Sequence, residues 1–440
     1  MLKLKNLCFT ALMLLLVNVL CHVEGATLDI SIDAESAILI NADTGAILYE
    51  KNAHAKMFPA SITKIATALY TLHVYGDKLD TPITAEHDSV AWVSKEAKKR
   101  SNYTLPPHWL EPDATHMGIK KGEILTLGDL IHGMLISSAN DASNVIAHYI
   151  GGSVPRFMAE VNAYLKELGC QNTNFCNPHG LHHPDHMTTA YDMSLIAREA
   201  MKYPMFRDVV KTVRYTRPQT NKQQPTTLIQ GNRLLRKGKL YYPKAVGIKT
   251  GWTSDAKNTL VAAAEHKGRT LISVQIKVKE RENLFKNAKT MFEAAFSQAL
   301  VQRVLLKSGP QKYVLKHPEA SKPVKTYLNK DICVDFYPAE EPQLSCKLHW
   351  HKLHPPIAKD QHVADLQIAS SHGKSVQSVP LYSVTDVNES WISWAKNIFS
   401  RESSKPVEKT PSKNGKLWKV VGMGAAILLL FGLLLAMRKR

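Results

Sequence analysis

Residues 56–70 read KMFPASITKIATALY, and this stretch predicts how the chain begins to fold. Pro59 precedes a run whose apolar residues recur at helical spacing, so we expect a helix that starts close to Ser61. Ser61 and Lys64 then share one helix face, where the hydroxyl and the amine can meet. A serine needs a base to become a nucleophile, and a buried lysine beside other cations can be neutral enough to serve. The spacing alone is weak, since S-x-x-K recurs at Ser254/Lys257, Ser371/Lys374 and Ser393/Lys396.

Two further motifs follow in the chain. Ser138-Ala139-Asn140 lies in the run LISSANDASNV, between two helical stretches, and Lys249-Thr250-Gly251 precedes a strand-like segment. A glycine at such a place lets a substrate lie against a strand edge. Ser138 follows Ser61 by 77 residues, and Lys249 follows Ser138 by 111 residues. The order S-x-x-K, S-x-N, K-T-G resembles that of the penicillin-recognising serine enzymes.

Longer stretches carry the resemblance further. They are LINADTGAILYEKNAHAKMFPASITKIATAL, LISSANDAS, LGCQNTNFCNPHGL, AVGIKTGWTSDAKNTLVAAA and PIAKDQHVADLQIASSHGKSVQSVPLYS. Together they are similar to the low-molecular-mass D-alanyl-D-alanine carboxypeptidases of bacterial cell walls, over roughly residues 27–385. The resemblance implies an α/β (α+β) transpeptidase/β-lactamase-like catalytic domain over residues 26–303 and a small all-β domain over residues 306–385. It also implies hydrolysis of the terminal D-Ala-D-Ala bond of peptidoglycan stem pentapeptides without metal or cofactor, and covalent inhibition by β-lactams.

The resemblance assigns catalytic roles position by position. Ser61 corresponds to the acylated nucleophile and Lys64 to its base. Ser138 would pass the proton to the leaving D-alanine amine, and Asn140 would hold Lys64 and the substrate amide. These four residues are the expected catalytic set.

The resemblance also assigns substrate-binding roles. Lys249 would supply positive potential, and Thr250 of the motif that ends at Gly251 would give a hydroxyl to the terminal carboxylate. Backbone N–H groups of Ser61 and Trp252 would form the oxyanion hole. Arg269, in KGRTLISV, matches a family arginine expected to face that carboxylate, and a guanidinium suits such a bidentate partner.

Three features depart from the family pattern. Trp252 stands where relatives often have histidine after K-T-G; the backbone role survives this change, whereas a side-chain role in deacylation would not. Val246 stands where aspartate is frequent, just before Gly247. Residues 105–123, LPPHWLEPDATHMGIKKGE, form an insertion before Ser138 that we expect at the rim of the cleft.

The periodicity of the body predicts its elements. A hairpin is expected at residues 37–49 around Asp43-Thr44-Gly45, and strands are expected at 261–264 and 271–276. Helices are expected at residues 128–149, 155–168 and 282–305. Within residues 306–385, strands are expected at 312–315, 332–336, 363–368 and 376–381.

The two ends predict export and anchoring. Residues 1–25 resemble a secretory signal peptide, with an uncleaved anchor as the alternative. Residues 386–401 predict a tryptophan-rich amphipathic helix, at a membrane surface or packed on the β-domain. A polar linker (402–416) precedes a transmembrane helix (418–437), of which Val420 to Met437 is an uninterrupted apolar run spanning about 27 Å. The basic tail 438–440 places the catalytic domain outside the bacterial cytoplasmic membrane.

Cysteines and histidines leave alternatives open. Cys170, Cys176, Cys333 and Cys346 permit two local disulfides, and free thiols are equally compatible with the sequence. Four histidines cluster in PHGLHHPDH: His179, His182, His183 and His186. Loop histidines can bind zinc, as in a metallopeptidase, but the segment lacks HExxH order. His349, His351 and His354 are expected on a solvated surface strand.

The charge is concentrated in one segment. The 440 residues carry a formal net charge of +18, and 44% of them are hydrophobic, a globular balance that excludes a disordered or fibrous chain. Between Arg207 and Lys249 there are 11 basic residues and one acidic residue, Asp208. This segment is either a solvated basic face or a field that draws in the carboxylate-bearing stem peptide. Export and the lack of a groove-reading element disfavour a nucleic-acid partner.

Other enzyme classes fit the motifs less well. A class A β-lactamase would need a glutamate motif for deacylation that the sequence lacks. A β-lactam sensor would need more cytoplasmic chain than the tail RKR provides. A D,D-endopeptidase that cuts crosslinks attacks the same type of bond, and the sequence does not separate it from a carboxypeptidase.

Overall fold

The structure is a computed structural model that describes residues 27–76, 78–370 and 375–395. The expected signal peptide, linker, transmembrane helix and basic tail lie outside these residues, as does the end of the amphipathic helix. Within the described part of the chain, no helix has the length and apolar character to cross a bilayer.

The described residues form both strands and α-helices. The strands are β1 Ser36–Asn41, β2 Ile47–Lys51, β3 Pro82–Thr84, β4 Ile124–Thr126, β5 Arg214–Arg217, β6 Thr226–Ile229, β7 Ala245–Thr253, β8 Lys257–His266, β9 Arg269–Val278, β10 Val301–Leu306, β11 Gly309–Leu315, β12 Val324–Leu328, β13 Ile332–Phe336, β14 Leu344–Trp350, β15 His362–Ser370 and β16 Ser375–Ser383. The α-helices are α1 Lys64–Tyr75, α2 Lys95–Arg100, α3 Leu127–Ile136, α4 Asn140–Gly151, α5 Val154–Glu167, α6 Ala190–Ala200, α7 Pro204–Lys211 and α8 Arg281–Phe296.

A five-stranded antiparallel sheet, in the order β2-β1-β9-β8-β7, forms the centre of the catalytic region. Its two faces contribute to two separate cores, because successive strand residues point to opposite faces. Ile38 and Ile40 of β1 pack with helices α1 and α3 to α6, whereas Ala37 and Leu39 pack with α8. The result is the expected α/β architecture, in which the sheet lies between helices.

Several sequence-based boundaries are correct and two are wrong. The hairpin at residues 37–49 is formed by β1 and β2, and the 155–168 helix is α5. The expected helix at 128–149 is broken into α3 and α4, since Ser138 between them has φ 65°, a left-handed conformation that no helix interior adopts. The expected helix at 282–305 ends at Phe296, and β10 occupies its last part.

The chain divides into two compact units. Of the described residues, the first unit contains those up to Lys307 together with those within Asp331–Leu348 and Leu366–Val379; the second contains those within Ser308–Lys330 and His349–Asp365 and those from Pro380 to residue 395. In the first unit β13 pairs with β10, so Ile332–Phe336 joins a two-stranded sheet there.

The second unit is built around β11 and β12, with β12 also pairing with β16. Its small core contains Val324, Leu353, Ile357, Val363 and Val387. The strands expected at 312–315, 363–368 and 376–381 are present as parts of β11, β15 and β16.

The four cysteines are thiols, so the suggested disulfides do not form in this structure. Cys170 is buried against the Asp192 carbonyl, with 3.6 Å between sulfur and oxygen. Burial raises the pKa of Cys170, and it raises that of Cys176 to about 11. Both side chains therefore remain protonated at neutral pH.

Candidate active site

The turn that carries Ser61 is fixed by a close backbone contact. Ser61 lies in the short 3₁₀ helix Ala60–Thr63, which leads directly into α1. Ala60 has φ 51°, and a Cβ atom on Gly180 would lie 1.9 Å from its carbonyl oxygen. Only glycine allows this approach, so the NPHGL segment holds the turn that presents the serine hydroxyl.

Lys64 is the most constrained residue of the site. Its Nζ lies 3.0 Å from Ser61 Oγ, 2.7 Å from Asn140 Oδ1 and 2.7 Å from the His179 carbonyl oxygen. The side chain is fully buried, and burial followed by the charge of Lys249 lowers its pKa well below the usual lysine value, although Asp141 acts in the opposite direction.

The hydrogen-bond geometry explains what a neutral Lys64 can do. A neutral amine has two N–H donors and one lone pair. The two donors serve the Asn140 and His179 oxygens, so the lone pair is left for the Ser61 hydroxyl. The arrangement therefore provides a base for the Ser61 proton without any further group.

Asn140 is held by the insertion that the sequence shows before Ser138. It is the first residue of α4, and its N–H donates to the Thr115 carbonyl at 2.9 Å. The next residue, Asp141, accepts hydrogen bonds from the backbone N–H groups of Met117 and Ile119 at 3.0 and 2.9 Å. The insertion thus does more than line a rim, since it fixes the helix that orients Asn140.

Ser138 lies on the turn between α3 and α4, two residues before Asn140. Its left-handed backbone, φ 65°, is uncommon for a residue other than glycine. Within the described part of the chain its hydroxyl forms no hydrogen bond, so it is available to a bound molecule. The structure brings Ser61 and Asn140 into hydrogen-bond contact with Lys64. Ser138 is placed near them by its position two residues before Asn140.

The K-T-G segment lies on β7 and passes against the backbone of Ser61. A Cβ atom on Gly251 would lie 2.5 Å from Thr259 Oγ1 and 2.7 Å from Ser61 N. Thr259 Oγ1 in turn donates to the Pro59 carbonyl at 2.9 Å. Gly251 is therefore required for the close contact between β7 and the Ser61 turn. The next residue, Trp252, is 65% exposed.

Lys249 is a second buried lysine near this turn. Only 2% of it is exposed, and its Nζ donates to the Thr250 carbonyl at 2.9 Å. Burial, and then the charge of Arg281, lower the pKa of Lys249 to about 7. Among the described residues, neither Lys249 nor Arg281 forms an ion pair with a carboxylate. Neither of these two cations therefore has an internal carboxylate as its counter-ion.

Arg281 is a residue that sequence reasoning missed. It is the first residue of α8 and is exposed. Arg281 follows Lys249 by 32 residues, so no short sequence motif links the two. Strands β8 and β9 lie between them in the chain and must pair before the start of α8 takes its place. The only sequence signal is a basic residue at the start of a helix.

The prediction for Arg269 is corrected by the structure. Its guanidinium forms an ion pair with Glu340, donates to the Ala295 carbonyl at 3.0 Å and lies 3.8 Å from the centre of the Tyr337 ring. The side chains of Arg269 and Glu340 are each 8% exposed. A guanidinium engaged in this way is not available to a substrate carboxylate.

The histidines of PHGLHHPDH serve the fold. His179 Nδ1 accepts from the Leu181 N–H at 3.1 Å, and its Nε2 lies 3.0 Å from the His108 carbonyl. His186 Nδ1 accepts from the Cys176 N–H at 3.0 Å, and its Nε2 lies 2.9 Å from Thr63 Oγ1. Burial lowers the pKa of His186 to about 3, so the ring is neutral. Both nitrogens of these two rings are occupied by protein atoms, so neither His179 nor His186 has a nitrogen free to bind a metal.

Comparison with known proteins agrees with this geometry. Residues 23–280 match a family model described as D-alanyl-D-alanine carboxypeptidase. The D-alanyl-D-alanine carboxypeptidase DacF of Bacillus subtilis is 33% identical over 299 residues, which cover 66% of this chain and 71% of that protein. The D-alanyl-D-alanine carboxypeptidase DacC of Escherichia coli is 31% identical over 373 residues, which cover 82% and 85%.

A solved structure shows the same fold. Penicillin binding protein 5 from Haemophilus influenzae is 25% identical and aligns with a TM-score of 0.56, covering 83% of this chain and all of that one. This alignment extends well beyond the residues that the family model matches.

Proposed function

This chain belongs to the D-alanyl-D-alanine carboxypeptidase family, and we propose that it hydrolyses the terminal D-Ala-D-Ala bond of peptidoglycan stem pentapeptides through an acyl-enzyme on Ser61. It is a serine-type carboxypeptidase. The observation that carries the proposal is the contact of Lys64 Nζ with Ser61 Oγ at 3.0 Å, in a buried environment that favours the neutral amine.

Acylation begins with transfer of the Ser61 proton to Lys64. Ser61 Oγ attacks the carbonyl carbon of the penultimate D-alanine, and the backbone N–H groups of Ser61 and Trp252 stabilise the oxyanion. Ser138 relays the proton from Lys64 to the nitrogen of the terminal D-alanine. The C–N bond breaks, D-alanine leaves as an amine, and an ester joins Ser61 to the shortened peptide.

Deacylation uses the same groups in the reverse sense. A water molecule gives its proton to Lys64 and attacks the ester carbonyl, and Ser61 regains a proton as the peptide leaves with a new carboxylate. Asn140 keeps Lys64 in place through both steps, because its Oδ1 accepts from Nζ at 2.7 Å. A β-lactam follows the first half of this course, since its ring opening acylates Ser61.

The terminal carboxylate of the substrate is bound by Lys249, Thr250 and Arg281. This assignment rests on the buried Lys249 of the strand that passes the Ser61 turn and on the charge of Arg281 that acts on Lys249, since neither has an internal carboxylate. A carboxylate brought to this place gains charge-assisted hydrogen bonds from these groups. This binding also explains why the enzyme would cleave a terminal peptide bond, because an internal peptide bond offers no carboxylate at this place.

The site of action is proposed from sequence and from an exposed helix. The signal-like residues 1–25, the apolar segment 418–437 and the basic tail support a catalytic domain outside the bacterial cytoplasmic membrane, held by a C-terminal anchor. Trp391, Ile392 and Trp394 of the second unit are 71%, 51% and 59% exposed, which supports contact of this helix with the membrane surface.

The test is release of D-alanine from a pentapeptide ending in D-Ala-D-Ala by the full chain in detergent. Release that persists in EDTA, disappears in Ser61→Ala and is unchanged in Ser393→Ala supports the proposal. Ser393 is the matched control because it shares the S-x-x-K spacing but lies in the second unit. Release that Ser61→Ala leaves intact would contradict it, and cleavage of a crosslinked dimer in preference to the pentapeptide would indicate an endopeptidase.

A further inference from the structure

A second group of histidines lies in the second unit, which contains none of the residues used in catalysis. His351 directly follows β14, and His362 and Asp365 belong to β15. The three side chains converge: one ligand atom from each lies within 4.8 Å of the others. Among the described residues this is the one such group of three potential metal ligands.

The carboxylate of Asp365 lies between the two imidazoles. His351 Nε2 is 2.7 Å from Asp365 Oδ2, and His362 Nε2 is 3.0 Å from Asp365 Oδ1. The ring centroids of the two histidines are 4.2 Å apart, with the planes at 69°. All three groups therefore present their polar atoms to one small volume.

The backbone holds this geometry by breaking the strand alternation. His362 and Asp365 are three residues apart, so in a regular strand they would point to opposite faces. Here Val363 and Ala364 are both buried, and the alternation is interrupted between them, so His362 and Asp365 emerge on the same side.

Two further contacts make the platform rigid. Val363 packs in the core of the unit with Val324 and Ile357, and its carbonyl accepts from the His351 N–H at 3.0 Å. The ligand positions are thus tied to a buried core and to a strand hydrogen bond, instead of depending on a free loop.

From this geometry we propose that His351, His362 and Asp365 bind a divalent transition-metal ion of the zinc class. Two imidazole nitrogens and one carboxylate form a ligand set that suits such ions. It suits Mg²⁺ and Ca²⁺ less well, because these ions favour oxygen ligands. The side chains are 37%, 40% and 29% exposed, so water completes the coordination.

Binding needs only a local rearrangement. Each Nε2 that now contacts Asp365 must offer its lone pair to the ion, so the neutral ring keeps its proton on Nδ1. His362 Nε2 also gives up its contact with the Ala364 carbonyl, now 3.1 Å away. The ion replaces hydrogen-bond protons between three groups that are already in place.

The PHGLHHPDH segment provides the contrast within the same chain. There His179 and His186 have both ring nitrogens bonded to protein atoms, and burial keeps them neutral. In the second unit each imidazole is bonded to a carboxylate at a partly exposed position. The inference adds a structural or regulatory ion to the second unit and gives it no part in peptide hydrolysis.

The experiment is a calorimetric titration of Zn²⁺ into the EDTA-stripped full chain in detergent. We expect saturable binding of one ion per chain, and an increase in unfolding temperature of the stripped protein on adding Zn²⁺. His351→Ala and His362→Ala should each weaken Zn²⁺ binding more than tenfold. Substitution of a residue that only hydrogen-bonds to a metal ligand already lowers metal affinity by about 10- to 100-fold. Asp365→Asn should weaken it while preserving the shape of the side chain.

The matched control is His354→Ala, a neighbouring exposed histidine outside the group, which should bind Zn²⁺ as the parent does. Circular dichroism of each stripped variant shows whether it is folded. Co²⁺ gives a second readout, since a bound ion with these ligands produces visible d–d absorption that the folded His351→Ala/His362→Ala double variant lacks. The proposal is overturned by the absence of saturable Zn²⁺ binding, by binding that survives in the double variant, or by equal loss in His354→Ala.

Discussion

The two ends of the central sheet each carry a buried cation, and they use it differently. Lys249 pairs with Val261 of β8, and Arg269 pairs with His266 of the same strand. The five-residue separation on β8 corresponds to about 17 Å. At the Arg269 end the cation meets Glu340, whereas at the Lys249 end, within the described residues, no protein carboxylate pairs with Lys249 or Arg281.

The difference separates a structural cation from one available to a substrate. A buried charge is costly unless something neutralises it. At the Arg269 end the fold supplies the neutralising group itself. At the Lys249 end, burial and then Lys249 lower the pKa of Lys64, and burial and then Arg281 lower that of Lys249; we propose that the substrate brings the missing carboxylate.

The largest effect is expected at Lys64, the base whose pKa is lowered by burial and then by the charge of Lys249. Lys64→Met should lower kcat/KM by about 10²- to 10⁴-fold, the usual contribution of a general base. It should leave the unfolding temperature unchanged or higher, because an amine that is costly to bury is removed. D-alanine release and thermal unfolding measure the two effects, and a loss of activity below tenfold would contradict the role of Lys64.

At the opposite end, substitution should affect the fold. Arg269→Met leaves Glu340 buried without its partner, so we expect a loss of roughly 3–5 kcal/mol in the free energy of unfolding. Below its unfolding transition the variant should retain kcat/KM within about twofold. Urea unfolding and D-alanine release test this, with Arg269→Met/Glu340→Met as the control, which should recover part of the stability. A rise in KM without any loss of stability would contradict this interpretation and would indicate that Arg269 binds the substrate.

A smaller, purely kinetic effect is expected for Arg281. Arg281→Met should raise KM and lower kcat/KM about tenfold, the equivalent of about 1.4 kcal/mol, through loss of one partner for the carboxylate. Its unfolding temperature should stay that of the parent, since Arg281 is exposed. Lys279→Met, on the preceding exposed lysine, is the matched control, and an equal effect in both variants would reduce Arg281 to a general contribution to surface charge.

The smallest change concerns the pH dependence. The reaction needs a neutral Lys64 and a charged Lys249, so kcat/KM should rise as Lys64 loses its proton and fall as pH rises through about 7, where Lys249 loses its own. Lys249→Arg keeps the positive charge at higher pH, because arginine remains protonated. The alkaline limb should therefore move upward in the variant, and an unmoved limb would assign it to another group.

The sequence predicts the Lys249 end of the sheet and the neighbouring Ser61 site better than it predicts the Arg269 end. Ser61, Lys64, Asn140 and Gly251 are found from short motifs, because local spacing and close backbone contact impose their identities. The hairpin of β1 and β2 and helix α5 follow from periodicity and turn residues in the same way.

Long-range partners could not be found in this manner. The ion pair of Arg269 joins residues 71 positions apart, and the His179 carbonyl reaches Lys64 across 115 positions. Both depend on how distant segments fold together. The contact between His362 and Asp365 could not be predicted either, because a regular strand would place the two side chains on opposite faces.

The most direct test compares two substrates that differ only at their terminus, a peptide ending in D-Ala-D-Ala and the same peptide with a terminal amide. The parent enzyme should prefer the carboxylate strongly in kcat/KM. That preference should largely disappear in Lys249→Met and persist undiminished in Arg269→Met measured below its unfolding transition. Equal preference in the parent and in Lys249→Met would contradict the account, because the Lys249 end would then not be the place where the substrate supplies the missing carboxylate.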